Sequence, residues 1–199
     1  MGMVVVFGGS FNPIHVGHTE IIEQISKLIN VDKVLIIPTK VPPHKETDYL
    51  ADASDRLNMC SIIANKFDNV EVSDIELNRE GKSYTIDTVN ALSEIYKGQK
   101  LALTVGGDML VSFTLWKDYL EILQKCTLIT FSRVGIQKDE YEKSIRILTD
   151  LGATIISINN PIADVSSTQI RQELLTQKHS VLLDKKVNEY IIKHNLYGV

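Results

Sequence analysis

Short branched apolar runs alternate along this chain with longer stretches in which apolar residues recur every three or four positions. Met3–Phe7, Lys33–Pro38, Val70–Ile75, Leu101–Val105, Thr127–Ser132 and Thr154–Ile158 have the length and composition of strands buried on both faces. Between the first two, Ile21, Ile22, Ile25, Leu28 and Ile29 form a stripe at helical spacing, with Glu20, Glu23, Gln24 and Lys27 outward. Asp52–Lys66 repeats that pattern through Leu57, Ile62 and Ile63. Tyr84–Tyr96, Asp118–Gln124, Asp139–Leu151, Ser167–Leu175 and Asp184–His194 read as further helices. The alternation predicts an α/β fold, a doubly wound parallel sheet with helices on both faces and right-handed crossovers. In such sheets ligands lie beyond the carboxyl ends of the strands, where the strand order switches direction. No repeat, low-complexity tract or linker interrupts the pattern. Residues 1–199 are therefore read as a single domain, with the helical portion from about 166 to 199 integral to it.

Composition narrows the class. A 199-residue chain with 44% hydrophobic and 23% charged residues suits one soluble globular domain. The net charge of −4 argues against a nucleic-acid partner, which calls for a basic stripe. Cys60 and Cys126 are too few to frame a disulfide scaffold and read as reduced interior thiols. No apolar run reaches the roughly 20 residues of a membrane span, and the N-terminus enters a strand without a signal-peptide pattern. A cytoplasmic protein is expected, with no membrane partner. A homo-oligomer stays open.

Candidate chemistry begins where the first strand ends. Gly8-Gly9-Ser10-Phe11-Asn12-Pro13-Ile14-His15-Val16-Gly17-His18 reads as a glycine-rich turn entering a helix. Without Cβ atoms, Gly8 and Gly9 let backbone N–H groups approach a ligand closely, and a helix start favours an anion such as phosphate. His15 and His18 share one face of the first turn, so both rings can address that anion. Gly17 lets the helix sit close to whatever is bound. A metal-binding His-x-x-His pair is the alternative, though no Cys, His or Glu nearby completes a set.

Farther along, Val165-Ser166-Ser167-Thr168-Gln169-Ile170-Arg171 reads first as a helix start, with Ser166 and Gln169 fitting a capping box. Ser167, Thr168 and the planar fork of Arg171 would make a second anion cradle there. Thr39–Asp55 is a long loop containing Pro42-Pro43-His44-Lys45, and long loops in compact domains tend to be functional. By composition Lys45 is a solvated surface residue. Gly106-Gly107-Asp108 closes a strand, where Asp108 could accept from a ribose hydroxyl or simply cap the next helix. Trp116, the one tryptophan, could stack on a cationic ring or belong to the core.

The first stretch resembles the His-x-Gly-His signature of the nucleotidyltransferase superfamily, and Val165–Arg171 resembles the Ile-Ser-Ser-Thr-x-x-Arg motif of its adenylyltransferases. With Pro42–Lys45, Ser83-Tyr84-Thr85-Ile86-Asp87-Thr88, Gly106–Asp108, Trp116 and Asn195-Leu196-Tyr197-Gly198, the chain resembles the bacterial nicotinate mononucleotide adenylyltransferases from end to end. The resemblance implies a Rossmann-like sheet of the nucleotidyltransferase type. It also implies transfer of AMP from ATP to nicotinate mononucleotide, giving deamido-NAD and pyrophosphate, with Mg²⁺ held mainly by the ATP phosphates and no dedicated metal ligands. It assigns Gly8, Gly9, Ser10, Phe11, His15, His18, Asp108, Ser167, Thr168 and Arg171 to ATP. Ser10, Lys45, Thr85, Trp116 and Arg133 go to the mononucleotide, and His18, His15, Lys45 and Arg171 to catalysis. Gly107 departs from the small non-glycine residue common in the family, which loosens the turn and keeps the carboxylate. The alternatives are the same chemistry on nicotinamide mononucleotide or phosphopantetheine, or an ATP-binding regulator without catalysis.

Overall fold

The computed structural model describes residues 2–28, 30–40, 49–131, 138–158 and 162–199. β1 (Met3–Gly9), β2 (Val31–Pro38), β3 (Val70–Val72), β4 (Lys100–Gly106), β5 (Cys126–Phe131) and β6 (Ile155–Ile158) form one parallel sheet in the order β3-β2-β1-β4-β5-β6. The chain builds outward from β1 to one edge, returns to β4 beside β1, and builds to the other edge. The strand order therefore reverses between β1 and β4, as the doubly wound reading expects.

The period of two along a strand sorts the core. Met3, Val5 and Phe7 of β1 belong to one buried cluster, Val4 and Val6 to the other. On the first face lie α1 (Val16–Ser26), α2 (Ala53–Ala64), α7 (Ser167–Gln177) and α8 (Lys185–Lys193), which bury Ile22, Met59, Ile170 and Val187. On the second lie α3 (Thr85–Ile95), the short α4 (Gly107–Val111), α5 (Tyr119–Lys125) and α6 (Lys138–Asp150), which bury Val89, Leu110, Ile122 and Leu148. Truncating a fully buried isoleucine such as Ile25 or Ile129 to alanine costs about 2–5 kcal/mol.

Several expectations shift. β1 continues past Phe7 because Gly8 and Gly9 still pair with Ile37 and Pro38 of β2. β3 ends at Val72, not Ile75; Ser73 N–H still donates to the Ile36 carbonyl, and the chain then leaves the sheet edge. The buried stripe of α2 is Arg56, Met59, Cys60, Ile63 and Ala64, while Leu57 and Ile62 are only half-buried. An arginine stands on the apolar face, so hydrophobicity alone misassigns that face. The 3₁₀ turns Phe113–Leu115 and Leu196–Gly198 and the single turn α4 were not anticipated, being too short for a periodic signal. Ile29 and Ser132 lie outside the described residues.

Candidate active site

The pairing of β1 with β4 stops at Val6 and Leu103, and the Thr104 hydroxyl donates to the Val6 carbonyl at 2.7 Å. Beyond that point β1 and β4 are no longer paired, at the switch in strand order where such sheets bind ligands. Gly8 is exposed beside it, and a Cβ there would meet nothing within 4 Å. A Cβ on Gly9 would sit 3.0 Å from the Phe11 ring. The glycines are thus the last residues of the strand and not the turn. Phe11 makes the turn, with φ of 44°, a conformation that costs a bulky residue on the order of 1–3 kcal/mol. Burial holds it there: Phe11 is 1% exposed, and its ring packs edge-on against Phe7 and His18, with centroids 5.4 and 5.0 Å away. The Phe11 ring is therefore not presented for stacking on a base.

The histidines differ from the expected pair of helical neighbours. His15 is the extended residue before the helix, and α1 starts at Val16. The His15 N–H donates to Nδ1 of His18 at 3.2 Å. A ring that accepts at Nδ1 carries its proton on Nε2, so the backbone selects the neutral Nε2–H tautomer of His18. The two rings face each other with centroids 3.7 Å apart and planes 33° apart. His15 is buried and His18 half-exposed. Gly17 permits a close backbone approach: a Cβ there would stand 3.1 Å from the Ala163 carbonyl oxygen. Glu20, expected to face outward, accepts the Ala163 N–H at 2.7 Å. Together they seat the segment that leads into the second signature against α1.

That seating brings the two signatures together. Ser166 caps α7 by accepting the Gln169 N–H at 3.1 Å. Only half of the expected capping box forms, and the Gln169 side-chain amide donates to Glu173 at 3.1 Å. Ser167 Oγ donates to the Pro13 carbonyl at 3.0 Å, and Arg171 Nη1 donates to the Asn12 carbonyl at 2.8 Å. Arg171 Nη2 reaches Thr168 Oγ1 at 3.2 Å. A guanidinium has five N–H donors, so these bonds leave others for an anion.

Behind this surface lie three buried groups to which the sequence reading gave no individual role. The Asn12 side chain, 2% exposed, donates to the Tyr49 carbonyl at 2.7 Å and accepts from Ala51 N–H at 3.1 Å and the Tyr197 hydroxyl at 2.8 Å. Tyr197 gives the closing Asn195–Gly198 motif its structural purpose, and burial pushes its phenol well above the ordinary range. Arg56 donates from Nε to Ala51 O at 3.0 Å and from Nη1 to Ser10 O and Thr39 O, each at 2.8 Å. The one available signal was a charged residue at helical spacing from Met59, Cys60 and Ile63.

Asp108 lies in the first turn of α4 at the end of β4, exposed; Gly106 is the cap, so Asp108 does not play the capping role. Thr85 is the first residue of α3, half-buried. Trp116, also half-buried, follows the Phe113–Leu115 turn and leans on Phe113, with centroids 4.8 Å apart. Their neighbours meet: Lys117 Nζ sits 4.7 Å from the Tyr84 ring centroid and 4.0 Å from the Asp87 carboxylate. Beneath α3, the buried Glu76 accepts from Thr88 at 2.8 Å, and Arg79 donates to the same hydroxyl at 3.0 Å. Burial raises the Glu76 carboxyl above its ordinary value, against the Thr88 bond and the Arg79 charge. Lys45 and Arg133 lie outside the described residues, as do Pro42, Pro43 and His44.

Burial raises both thiols, Cys126 to about 12, so neither is poised for thiolate chemistry. Among the described residues, no three His, Cys, Asp or Glu side chains converge on a possible metal position. No helix among them is long and apolar enough to cross a membrane.

A cytidylyltransferase-like family model matches residues 6–173. A Fusobacterium nucleatum protein named "Probable nicotinate-nucleotide adenylyltransferase" is 39% identical over 194 residues, covering 96% of this chain and 97% of its own. One of the same name from Carboxydothermus hydrogenoformans is 34% identical over 194 residues, covering 96% of each. The solved Plasmodium falciparum nicotinic acid mononucleotide adenylyltransferase, complexed with NaAD, shares the fold at a TM-score of 0.81 and 21% identity, over 99% of this chain and 98% of that one. Fold and near full-length similarity thus agree that the chain belongs to the cytidylyltransferase-like family and, within it, to the nicotinate-nucleotide adenylyltransferases.

Proposed function

We propose that this chain transfers AMP from ATP to nicotinate mononucleotide, releasing pyrophosphate and forming deamido-NAD. The observation that carries the reading is the pair of bonds from Ser167 and Arg171 to the Pro13 and Asn12 carbonyls. They bring the two signatures into direct contact, which supports a single triphosphate reaching both. The mononucleotide's 5′-phosphate oxygen attacks the α-phosphorus, one phosphoanhydride bond forms as another breaks, and pyrophosphate leaves. Such a transfer needs alignment and charge neutralisation rather than a protein nucleophile.

His15 and His18 act on the ATP phosphates beside the amides of Gly8, Gly9, Ser10 and Phe11. Nε2–H of His18 donates to oxygen at the transferring centre, where donors fixed in advance lower the barrier. Ser167, Thr168 and Arg171 hold the β- and γ-phosphates, and Asp108 takes a ribose hydroxyl. Thr85 and Trp116 accept the nicotinate ring and its carboxylate, with Ser10, Lys45 and Arg133 on the mononucleotide's phosphate side. Mg²⁺ enters as the ATP complex, as part of the substrate. The reaction is placed in the cytoplasm, which suits the free, buried Cys60 and Cys126.

The test is pyrophosphate release by the purified protein with MgATP and, in turn, nicotinate mononucleotide, nicotinamide mononucleotide or phosphopantetheine. The first acceptor should support the fastest turnover. Faster release with either of the others would reassign the acceptor. ATP binding without release for any acceptor would make the protein a regulator.

A further inference from the structure

Arg56 is 1% exposed, and none of the ion pairs found among the described residues includes it. Leaving a guanidinium buried without a carboxylate is costly unless its donors are well placed. Here they go to backbone carbonyls of three separate chain segments. Ser10 follows the strand-end glycines of β1. Thr39 follows β2 and begins the path toward 41–48. Ala51 leads into α2, which carries Arg56 itself. Nη1 alone spans Ser10 and Thr39, at 2.8 Å to each. The same two segments are also joined by Thr39 N–H donating to the Gly9 carbonyl at 2.9 Å.

A purely structural arginine would be expected against an acid or at a helix C-terminus, whereas Arg56 stands in the first turn of α2, where the helix dipole disfavours a cation. This one sits on the apolar stripe of α2, one helical turn from Cys60, directly behind the turn proposed to cradle phosphate. Each carbonyl it holds fixes the peptide plane whose N–H belongs to the following residue. The bond to Ser10 O therefore orients the Phe11 N–H, and the bond to Thr39 O orients the N–H of Lys40. Its positive charge, retained at neutral pH, also stands behind the anion site in a region that excludes water, where charges interact more strongly than in solvent.

We infer that Arg56 is a positioning residue for adenylyl transfer, clamping the Ser10 and Thr39 carbonyls at a fixed spacing so that the β1 phosphate cradle and the chain leaving β2 meet the substrates as one surface. The inference rests on the adenylyltransferase reading above. Arg56 touches no substrate. It acts through two peptide planes, so its removal disturbs alignment in the transition state more than ground-state binding.

The experiment compares the parent with Arg56→Lys and Arg56→Ala at a temperature where melting curves show each to be folded. Lysine keeps the charge but not the fork that spans two carbonyls. The expected result for Arg56→Lys is a fall of about tenfold or more in kcat, with KM for ATP within about threefold, the pattern of misplacement. Arg56→Ala leaves a cavity shaped for guanidinium, and millimolar guanidinium should restore part of its kcat where equal urea or sodium chloride does not. Arg56→Lys with parental kcat would overturn the inference. So would activity that tracks only the folded fraction, or identical responses of Arg56→Ala to guanidinium and urea. A parent that releases no pyrophosphate with any acceptor instead defeats the underlying reaction assignment, and the two failures are told apart by that control.

Discussion

His18 enters the reaction with one nitrogen already committed, because Nδ1 accepts the His15 N–H. That bond selects the tautomer with the proton on Nε2. His18→Ala should therefore lower kcat by about a hundredfold or more while ATP affinity changes little; steady-state kinetics beside an ATP titration reads both. Unchanged turnover would remove His18 from the chemistry. Arg171 divides its donors between Asn12, Thr168 and the space beyond. Arg171→Ala should weaken ATP more than AMP, as the β- and γ-phosphates are its expected partners, and equal losses in calorimetric titrations would deny that contact. Trp116 leans on Phe113 yet stays half-buried. Trp116→Ala should raise KM for the mononucleotide and spare that for ATP, whereas a residue belonging only to the core would lower stability without that split.

Among the elements, the short ones at the strand ends do the positioning. The Leu196–Gly198 turn places the Tyr197 phenol on Asn12, and Asn12 in turn receives Arg171 from α7. Tyr197→Phe removes a buried donor while Asn12 Oδ1 keeps its bond from Ala51 N–H. A loss of about 1 kcal/mol is expected, seen in chemical denaturation, with kcat close to parental. α1 and α7 are each organised at their first residues, one through a histidine ring and one through a serine hydroxyl. Such caps act within a few positions, which is why both helix starts were legible in the chain. α2 was legible as a helix, but its buried face was not. Periodicity assumes that the face turned inward is apolar, and Arg56 breaks that assumption.

Across the molecule, the sheet supports the chemistry by ending the pairing of β1 with β4 at the reversal of strand order. The same fold traps Glu76 under α3, and its carboxyl is raised by burial above the ordinary 4.5. Between that value and the raised one, the folded state binds the proton more tightly than the unfolded chain. Stability from this group is greatest at low pH and declines as pH rises through that window. Glu76→Gln should flatten the decline, and denaturation midpoints of parent and variant between pH 5 and 8 measure the difference; parallel curves would show that Glu76 does not titrate there.

Strand and helix identities and the starts of α1 and α7 followed from the chain alone, since each depends on periodicity or on side chains a few positions apart. The role of Phe11 as the turn, the service of Gly17 to Ala163 and the partners of Arg56 did not. These depend on which distant backbone arrives at a given side chain. Arg171 meets Asn12 across 159 positions and Tyr197 meets it across 185. Contacts of that kind come from packing α1, α7 and the C-terminal turn on one face of an open sheet, and only the folded chain brings those carbonyls within reach.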